Sequence, residues 1–105
     1  MVTPGHGEIW WGERPNGKPR PYLVLTRDAA IPVLRKILVA PVTSTVRAIP
    51  TELPLGPDEG LRMECVASFD NVYAIRKAYL TRRMGALGQE RRHEVCLALA
   101  AAVDC

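Results

Sequence analysis

The chain has 105 residues, of which 48% are hydrophobic and 24% are charged. This size and composition argue against a disordered chain and predict one compact domain over residues 1–105. The formal net charge is +3, and 11 of the 14 basic residues are Arg. Because the Arg fork matches phosphate bidentately, this bias fits a nucleic-acid partner, although a GC-rich genome would favour Arg codons as well.

Cysteine usage and hydropathy indicate the compartment. Cys65, Cys96 and Cys105 are scattered and odd in number, so they predict neither a disulfide framework nor a zinc site. Unpaired cysteines are typical of a reducing cytoplasm. No apolar run approaches the ~20 residues that a membrane helix needs, and the first residues lack a signal-peptide pattern. A soluble, cytoplasmic protein with no membrane partner is therefore expected.

The first half of the chain alternates apolar runs with turn signals. A Pro- and Gly-rich loop is predicted at 14–21, and a short helix capped by Asp28 and limited by Pro32 could form within 27–36. Pro41 lacks an N–H donor, which suggests a sheet edge, a bulge or an early strand end there. Strands are predicted at 7–13, 22–26, 37–43 and 50–55.

The second half predicts three further strand segments and one helix. A turn at 56–60 is followed by strands on either side of a polar corner within 63–75, and by a strand within 79–87. A helix is predicted at 89–104, with a buried stripe formed by Val95, Leu99 and Val103 and flanked by Cys96 and Ala102. The pattern as a whole predicts a small, strongly bent antiparallel sheet closed by a C-terminal helix.

Familiar catalytic sets find little support in this sequence. His6 lies in an N-terminal segment that is expected to fray, and His93 lies among charged residues early in the helix. Acidic residues show no metal-like spacing, and the phosphate-binding glycine motifs are absent. No metal and no cofactor are therefore expected.

One pair of polar residues stands at the ends of two apolar runs. Arg20 precedes the predicted strand at 22–26, and Thr43 ends the strand at 37–43. If these strands are neighbours, a cation and a hydroxyl converge in one cleft. The alternative is that Arg20 is a solvated loop residue and that the hydroxyls of residues 43–45 only satisfy a strand end.

The order of motifs resembles the MazF/PemK (Kid-like) toxin family. The motifs are GEIWW at 7–11, RPYLVLT at 20–26, ILVAPVTST at 37–45, IPTELPL at 49–55 and SFDNVYAIRKAYLTRRMGAL at 68–87. The resemblance implies an SH3-like or CcdB-like barrel, a homodimer, and a metal-independent endoribonuclease without cofactor. It also implies a cognate acidic antitoxin, MazE-like, that occludes the groove for single-stranded RNA.

The resemblance assigns catalytic roles to two residues. The family's catalytic Arg stands directly before the Pro of the first buried strand, which is Arg20 here, and its catalytic Thr closes the next strand, which is Thr43. The family's loop Glu has no clean equivalent, and Glu13 is the nearest candidate. Metal-free cleavage can use the ribose 2′-OH as nucleophile and leaves a 2′,3′-cyclic phosphate and a 5′-OH. Such attack needs alignment and donors for the phosphoryl oxygens.

Substrate selection is expected to fall to loops beside this pair. Splayed bases of single-stranded RNA are read by stacking and by hydrogen bonds. The candidate RNA-binding residues are Arg14, Asn16, Lys18, Ser44, Thr45, Asp70 and Asn71. Alternation along the first strand should bury one of Trp10 and Trp11 and leave the other for RNA or a dimer partner. A CcdB-like gyrase poison and a non-catalytic SH3-like binding module are the alternative functions.

Overall fold

The computed structural model describes residues 3–103 and consists of seven strands and one α-helix. The strands are β1 Glu8–Gly12, β2 Arg20–Val24, β3 Lys36–Thr43, β4 Glu52–Leu55, β5 Cys65–Ser68, β6 Tyr73–Arg76 and β7 Leu80–Ala86, and the helix is α1 Arg92–Val103. No helix in the described part of the chain is both long and apolar enough to span a bilayer.

All strand pairs are antiparallel and form one sheet in the order β4-β5-β3-β2-β1-β7, with β6 also pairing β3. Register shifts between β1 and β7 mark local irregularities in this ladder. The strands curl around two groups of buried side chains. Ile9, Leu23, Leu53 and Phe69 belong to the group that packs under α1. The sequence-based prediction of a mainly β, strongly bent antiparallel fold with a C-terminal helix is confirmed.

The second core lies on the other face of the sheet. Its members include Trp10, Tyr22, Val39 and Ile75, all at most 3% exposed. Tyr22, Leu23 and Val24 are consecutive and buried, so β2 has apolar contacts on both faces. This explains why its sequence is a continuous apolar run rather than an alternating one.

Strand β3 does not end early at Pro41. It reaches Thr43 and is paired on both sides, with β2 on one side and with β6 and β5 in succession on the other. The β6 pairing covers Lys36 to Val39, and the β5 pairing starts at Val42. Pro41 falls in the gap between these partners, where a missing donor interrupts no ladder. The expectation of an edge or an early end is therefore wrong.

The segment before β3 forms no α-helix. Only a 3₁₀ turn at Ile31–Val33 is present, and no side chain caps it. The Asp28 carboxylate instead accepts a hydrogen bond from the His6 backbone N–H at 2.7 Å, and His6 Nδ1 lies 3.0 Å from the carbonyl oxygen of Leu25. Asp28 therefore does not cap a helix but binds the N-terminal segment. The expectation that this segment frays is wrong from His6 onward.

Helix α1 buries only part of the predicted stripe. A 3₁₀ turn at Gln89–Arg91 precedes it, and its buried residues are Val95 and Ala98, with Leu99 and Ala102 packed against the same core. Val103 is 58% exposed and Cys96 is also exposed. The helix is therefore rotated towards its small residues, which allow it close to the sheet. Asp104, its predicted last residue, lies outside the described residues.

Candidate active site

Two cavities share one wall at the ends of β2 and β3. The polar cleft, of about 370 Å³, is lined by Arg14, Arg20, Pro41, Thr43, Thr45, Arg47, Ser68, Asn71 and Tyr73. The apolar recess, of about 490 Å³, is lined by Trp11, Lys18, Pro19, Arg20, Pro21, Val42, Thr43, Ser44, Leu61, Arg62, Met63, Cys65 and Met84. Arg20 and Thr43 are the residues common to both linings, so they form the ridge between the two cavities.

The strand register brings Arg20 and Thr43 together. β2 begins at Arg20 rather than at residue 22, and β3 ends at Thr43. The two strands pair with Tyr22 opposite Pro41, and continuing that register by two residues places Arg20 opposite Thr43. Directly opposed residues of antiparallel strands have Cβ atoms about 4.5–5.5 Å apart. Side chains two residues apart share a face, so this pair stands on the same face as Tyr22 and Pro41.

The turn after β3 engages the Thr43 hydroxyl as an acceptor. Its Oγ1 accepts a hydrogen bond of 3.1 Å from the backbone N–H of Thr45. A hydroxyl has one donor hydrogen and two acceptor lone pairs. Since one lone pair of Thr43 is occupied by this local bond, the hydroxyl hydrogen is directed away from the Thr45 N–H and is free to donate.

The cations of the polar cleft lack counter-ions. Arg14, Arg20 and Arg47 all line it, and none forms a salt bridge within residues 3–103. The ion pairs of that part of the chain involve Arg83 and Arg91 instead. Three guanidinium groups without carboxylate partners repel one another, and that repulsion is relieved when a polyanion enters.

Arg47 is held in place by a buried carboxylate. Glu52, at the start of β4, is 9% exposed, and its Oε1 accepts the backbone N–H groups of Arg47 at 2.8 Å and of Ala48 at 3.0 Å. Ala48 has a φ of 56°, in the left-handed region that residues with a Cβ seldom adopt. The two hydrogen bonds stabilise this turn and thereby hold the backbone of Arg47 beside the cleft.

Tyr73 lines the cleft and was not predicted as a site residue. Its hydroxyl donates a hydrogen bond of 2.8 Å to the hydroxyl oxygen of fully buried Tyr22, and the two rings meet edge-to-face at 6.0 Å. Burial and this hydrogen bond raise the pKa of Tyr73 to about 12. The side chain therefore stays neutral and does not repel a phosphate. Its position in sequence, next to the polar corner at 68–71, is the signal that could have identified it.

The predicted RNA-binding residues are distributed unevenly around the ridge. Arg14, Thr45 and Asn71 line the polar cleft, and Asn71 Nδ2 donates to Ser68 Oγ at 2.9 Å. Lys18 and Ser44 line the apolar recess.

Two of the predicted residues lie apart from the ridge. Asn16 and Asp70 line neither the polar cleft nor the apolar recess, and the Asp70 carboxylate accepts a hydrogen bond from Thr51 Oγ1 at 2.6 Å. RNA contacts for all seven predicted residues stay predictions.

The paired tryptophans differ as alternation predicts. Trp10 is 3% exposed in the core, whereas Trp11 is partly exposed, lines the apolar recess and has the Arg82 guanidinium carbon 5.9 Å from its ring centroid. Glu13 lines neither cavity and accepts a hydrogen bond of 3.3 Å from Thr81 Oγ1. His6 and His93 also lie outside both linings. Among residues 3–103, no three His, Cys, Asp or Glu residues are grouped as metal ligands would be.

The chain is thus a small curled antiparallel sheet that ends in a helix, with an Arg–Thr ridge beside a cleft lined by three arginines. Residues 6–103 match the family described as PemK-like, MazF-like toxin of type II toxin-antitoxin system, and the chain belongs to that family. The family resemblance drawn from the sequence is confirmed.

Relatives and solved structures agree with this assignment. The chain is 42% identical over 105 residues to the probable endoribonuclease MazF5 of Mycobacterium tuberculosis, an alignment that covers 99% of this chain and 96% of that protein. The structure of Mycobacterium tuberculosis toxin MazF-mt6 superposes with a TM-score of 0.86 at 35% identity, over 92% and 96% of the two chains. A mycobacterial endoribonuclease in complex with its cognate antitoxin superposes with a TM-score of 0.84 at 25% identity, over 96% and 95%. The enzyme class expected from the sequence, an endoribonuclease, is confirmed by these relatives.

Proposed function

We propose that the protein is a metal-independent endoribonuclease toxin that cleaves single-stranded RNA in a sequence-specific manner. The observation that carries this proposal is the ridge formed by Arg20 and Thr43, a cation opposite a directed hydroxyl donor. The two cavities on either side of the ridge would take the nucleotides before and after the scissile phosphate. The unpaired guanidinium groups of the polar cleft would hold the flanking phosphates.

The chemistry exchanges one P–O bond for another. The 2′-oxygen attacks the adjacent phosphorus, the bond to the 5′-oxygen breaks, and the products end in a 2′,3′-cyclic phosphate and a 5′-OH. The 2′-OH loses its proton to solvent, and the 5′-oxygen gains one. Arg20 would stabilise the negative charge that builds on the phosphoryl oxygens, and Thr43 would donate a second hydrogen bond to the same oxygens. Both donors are already in place on paired strands before RNA binds, so little reorganisation is needed.

An acidic antitoxin and a second copy of the chain are the proposed protein partners. The solved complex of a mycobacterial endoribonuclease with its cognate antitoxin supports the first. The uncompensated arginines of the polar cleft would pair with carboxylates of an antitoxin segment, which would then exclude RNA. A homodimer, implied by the family resemblance, would cover exposed apolar side chains such as Val33 at 80% and Leu97 at 66% exposure. The proposed place of action is the cytoplasm, where cleavage of RNA would inhibit translation and growth.

The test is cleavage of a long single-stranded RNA by the purified protein in excess EDTA. Wild-type protein should cut at defined sites, and the fragments should accept 5′-phosphate from a polynucleotide kinase without prior phosphatase treatment. Arg20→Ala should lower the cleavage rate by roughly 10²–10³-fold or more, as removal of a transition-state donor does. Arg35→Ala, at an exposed Arg that lines neither cavity, is the matched control and should cut normally.

Thermal melts of all variants separate loss of chemistry from loss of fold. Strict dependence on Mg²⁺, or full activity in Arg20→Ala, would contradict the proposal. A parallel DNA supercoiling assay should show no inhibition of gyrase; inhibition without RNA cleavage would establish the gyrase-poison alternative.

A further inference from the structure

The ring of Tyr73 is fixed in the polar cleft by its surroundings. Tyr73 opens β6, where it pairs with Val39 of β3, and its hydroxyl is bonded to buried Tyr22. The two rings meet at an interplanar angle of 89°, and Tyr73 itself is only partly buried. An aromatic ring anchored through its hydroxyl presents a preorganised flat surface to the cleft.

The group over that surface is the exposed side chain of Arg14. The Arg14 guanidinium carbon lies 4.8 Å from the centroid of the Tyr73 ring. Arg14 is exposed, belongs to the Pro- and Gly-rich loop between β1 and β2, and has no acidic partner within residues 3–103. A guanidinium plane and a tyrosine ring are the two kinds of surface on which unstacked RNA bases are held.

We infer that Tyr73 and Arg14 form a nucleobase-binding site next to the scissile phosphate, in which the base stacks on the Tyr73 ring and Arg14 closes over its other face. The inference rests on the proposed function in that its ligand is single-stranded RNA. Asn71 and Thr45 line the same cleft, so the base edge would meet their hydrogen-bonding groups. This site would make Tyr73 a specificity-determining residue of the polar side of the ridge.

A second Arg–Tyr pair in the same chain offers a matched control. The Arg76 guanidinium carbon lies 5.7 Å from the centroid of the Tyr79 ring. Neither residue lines the polar cleft or the apolar recess. The two pairs therefore share their chemistry and differ in location. A variant of the Arg76–Tyr79 pair measures the effect of losing such a stack away from the ridge.

The experiment measures binding of a short single-stranded 2′-fluoro RNA, which lacks the attacking hydroxyl and is not cut by the proposed reaction. The probe is the tightest-binding sequence selected from a random 2′-fluoro pool on wild-type protein. Each nucleotide is then replaced in turn by an abasic one, and dissociation constants are measured by fluorescence anisotropy. Wild-type protein should bind roughly tenfold more weakly to the probe that is abasic at one particular nucleotide, because that probe lacks one stacked base.

Variants identify the stacking partner. Tyr73→Ala should bind the intact probe roughly tenfold more weakly and lose its sensitivity to the abasic substitution at that position. Tyr73→Phe keeps the ring and should keep that sensitivity, while Arg14→Gln should reduce it. Arg76→Gln should match wild type throughout. Melting curves exclude unfolding, and Tyr73→Phe reports the cost of the lost Tyr22 hydrogen bond separately.

Two outcomes would overturn the inference. One is a Tyr73→Ala protein that is folded and as sensitive to every abasic substitution as wild type. The other is wild-type protein that binds no member of the 2′-fluoro pool. The cleavage assay tests the proposed function independently, so a protein that cuts RNA but shows no Tyr73-dependent base sensitivity contradicts this inference alone. A protein that shows the sensitivity without cutting contradicts the proposed function alone.

Discussion

At the scale of single residues, the direction of one hydroxyl hydrogen is the sharpest feature of the ridge. Thr43 Oγ1 accepts the Thr45 N–H, so its own hydrogen remains for an incoming group. Thr, unlike Val, supplies that donor, and its hydroxyl is a stronger donor than the S–H group of Cys. The donor in this local bond is a backbone N–H, so the bond positions Thr43 without using the hydroxyls of Ser44 and Thr45.

The available hydroxyl hydrogen of Thr43 predicts how two substitutions change the cleavage rate. Thr43→Ser keeps the hydroxyl and its bond to Thr45, so cleavage should stay within about tenfold of wild type. Thr43→Val keeps the shape and removes the donor, so kcat should fall by roughly 10²-fold while KM changes little. Single-turnover cleavage with a saturating protein concentration measures the chemical step. Equal rates for the Ser and Val variants would show that Thr43 acts through shape alone.

Site residues at the end of an apolar run could be predicted from the sequence, whereas site residues that the fold brings to the cleft could not. Arg20 and Thr43 carry a local signal, since each stands at the boundary of an apolar run. Tyr73 reaches the cleft because β6 pairs with β3, and Arg47 reaches it because Glu52 binds its backbone. The position of Tyr73 next to the polar corner at 68–71 is its one local signal, and the five-residue separation of Arg47 and Glu52 does not by itself indicate a hydrogen bond.

At the scale of elements, the start of β1 is fixed by one partly buried carboxylate. Glu8 Oε1 accepts the Gly5 N–H at 2.7 Å and Trp10 Nε1–H at 2.9 Å, and its Oε2 accepts Arg83 Nε–H at 3.1 Å from β7. Burial raises the pKa of Glu8, but these three donors outweigh burial and hold that pKa below its ordinary value of 4.5. The ionised carboxylate thus ties β1, β7 and the N-terminal segment together.

The lowered pKa of Glu8 predicts an acid-sensitive contribution to stability. A carboxylate whose pKa is lower in the folded chain stabilises the fold fully above its unfolded value near 4.5, and this contribution is lost as pH falls through the folded pKa. Glu8→Gln should lower Tm by several degrees at neutral pH and should show a smaller fall in Tm on acidification. Differential scanning fluorimetry across that window tests this. Parallel curves for the two proteins would contradict it.

The turn after β4 approaches the backbone of strand β7 closely. A Cβ at Gly85 would overlap the carbonyl oxygen of Glu59, and Gly60 has a φ of +91° and faces the Met84 carbonyl. Only residues without a Cβ allow the two segments to meet in this way. The turn itself is closed by Glu59 Oε1, which accepts the Gly56 N–H at 2.7 Å.

Gly85→Ala should therefore destabilise the protein by about 1–3 kcal/mol, since an added methyl in a packed site forces the backbone apart. The matched control is Gly17→Ala. Its added Cβ would meet only the end of the Arg14 side chain, at 3.0 Å, which can move. Chemical denaturation with constant m-value measures both. A Gly85→Ala protein as stable as Gly17→Ala would show that the turn and β7 separate at little cost.

Elements were easier to predict than their packing. The polar corner at 68–71 and all seven strands have periodic or turn signals, and the 3₁₀ turn at Phe69–Asn71 lies at that corner. The helix face was predicted only in part: Val95 is buried and Leu99 packs against the core as expected, but the small Ala98 is buried at 3% exposure while the larger Val103 is exposed. Small side chains face the sheet because they allow the helix to pack closely against it. The spacing of large apolar residues in the sequence does not predict this packing.

At the scale of the whole molecule, the distribution of charge matters more than its sum. The net charge is only +3. Glu8, Glu59 and Glu94 are paired with arginines outside the polar cleft. Arg14, Arg20 and Arg47 line one cleft and form no ion pair within residues 3–103, so their summed field attracts a polyanion to the ridge.

This distribution predicts how RNA binding depends on salt. The affinity for the uncleavable 2′-fluoro RNA should fall as NaCl rises, with a slope in log–log form of about 0.7 for each phosphate neutralised. Arg20→Gln and Arg47→Gln should each reduce that slope by about 0.7, because each removes one phosphate contact. Arg35→Gln is the control and should leave the slope unchanged. Arg47→Gln could instead weaken binding equally at all salt concentrations. That result would show that Arg47 contacts a base edge and that Arg20, not Arg47, binds phosphate.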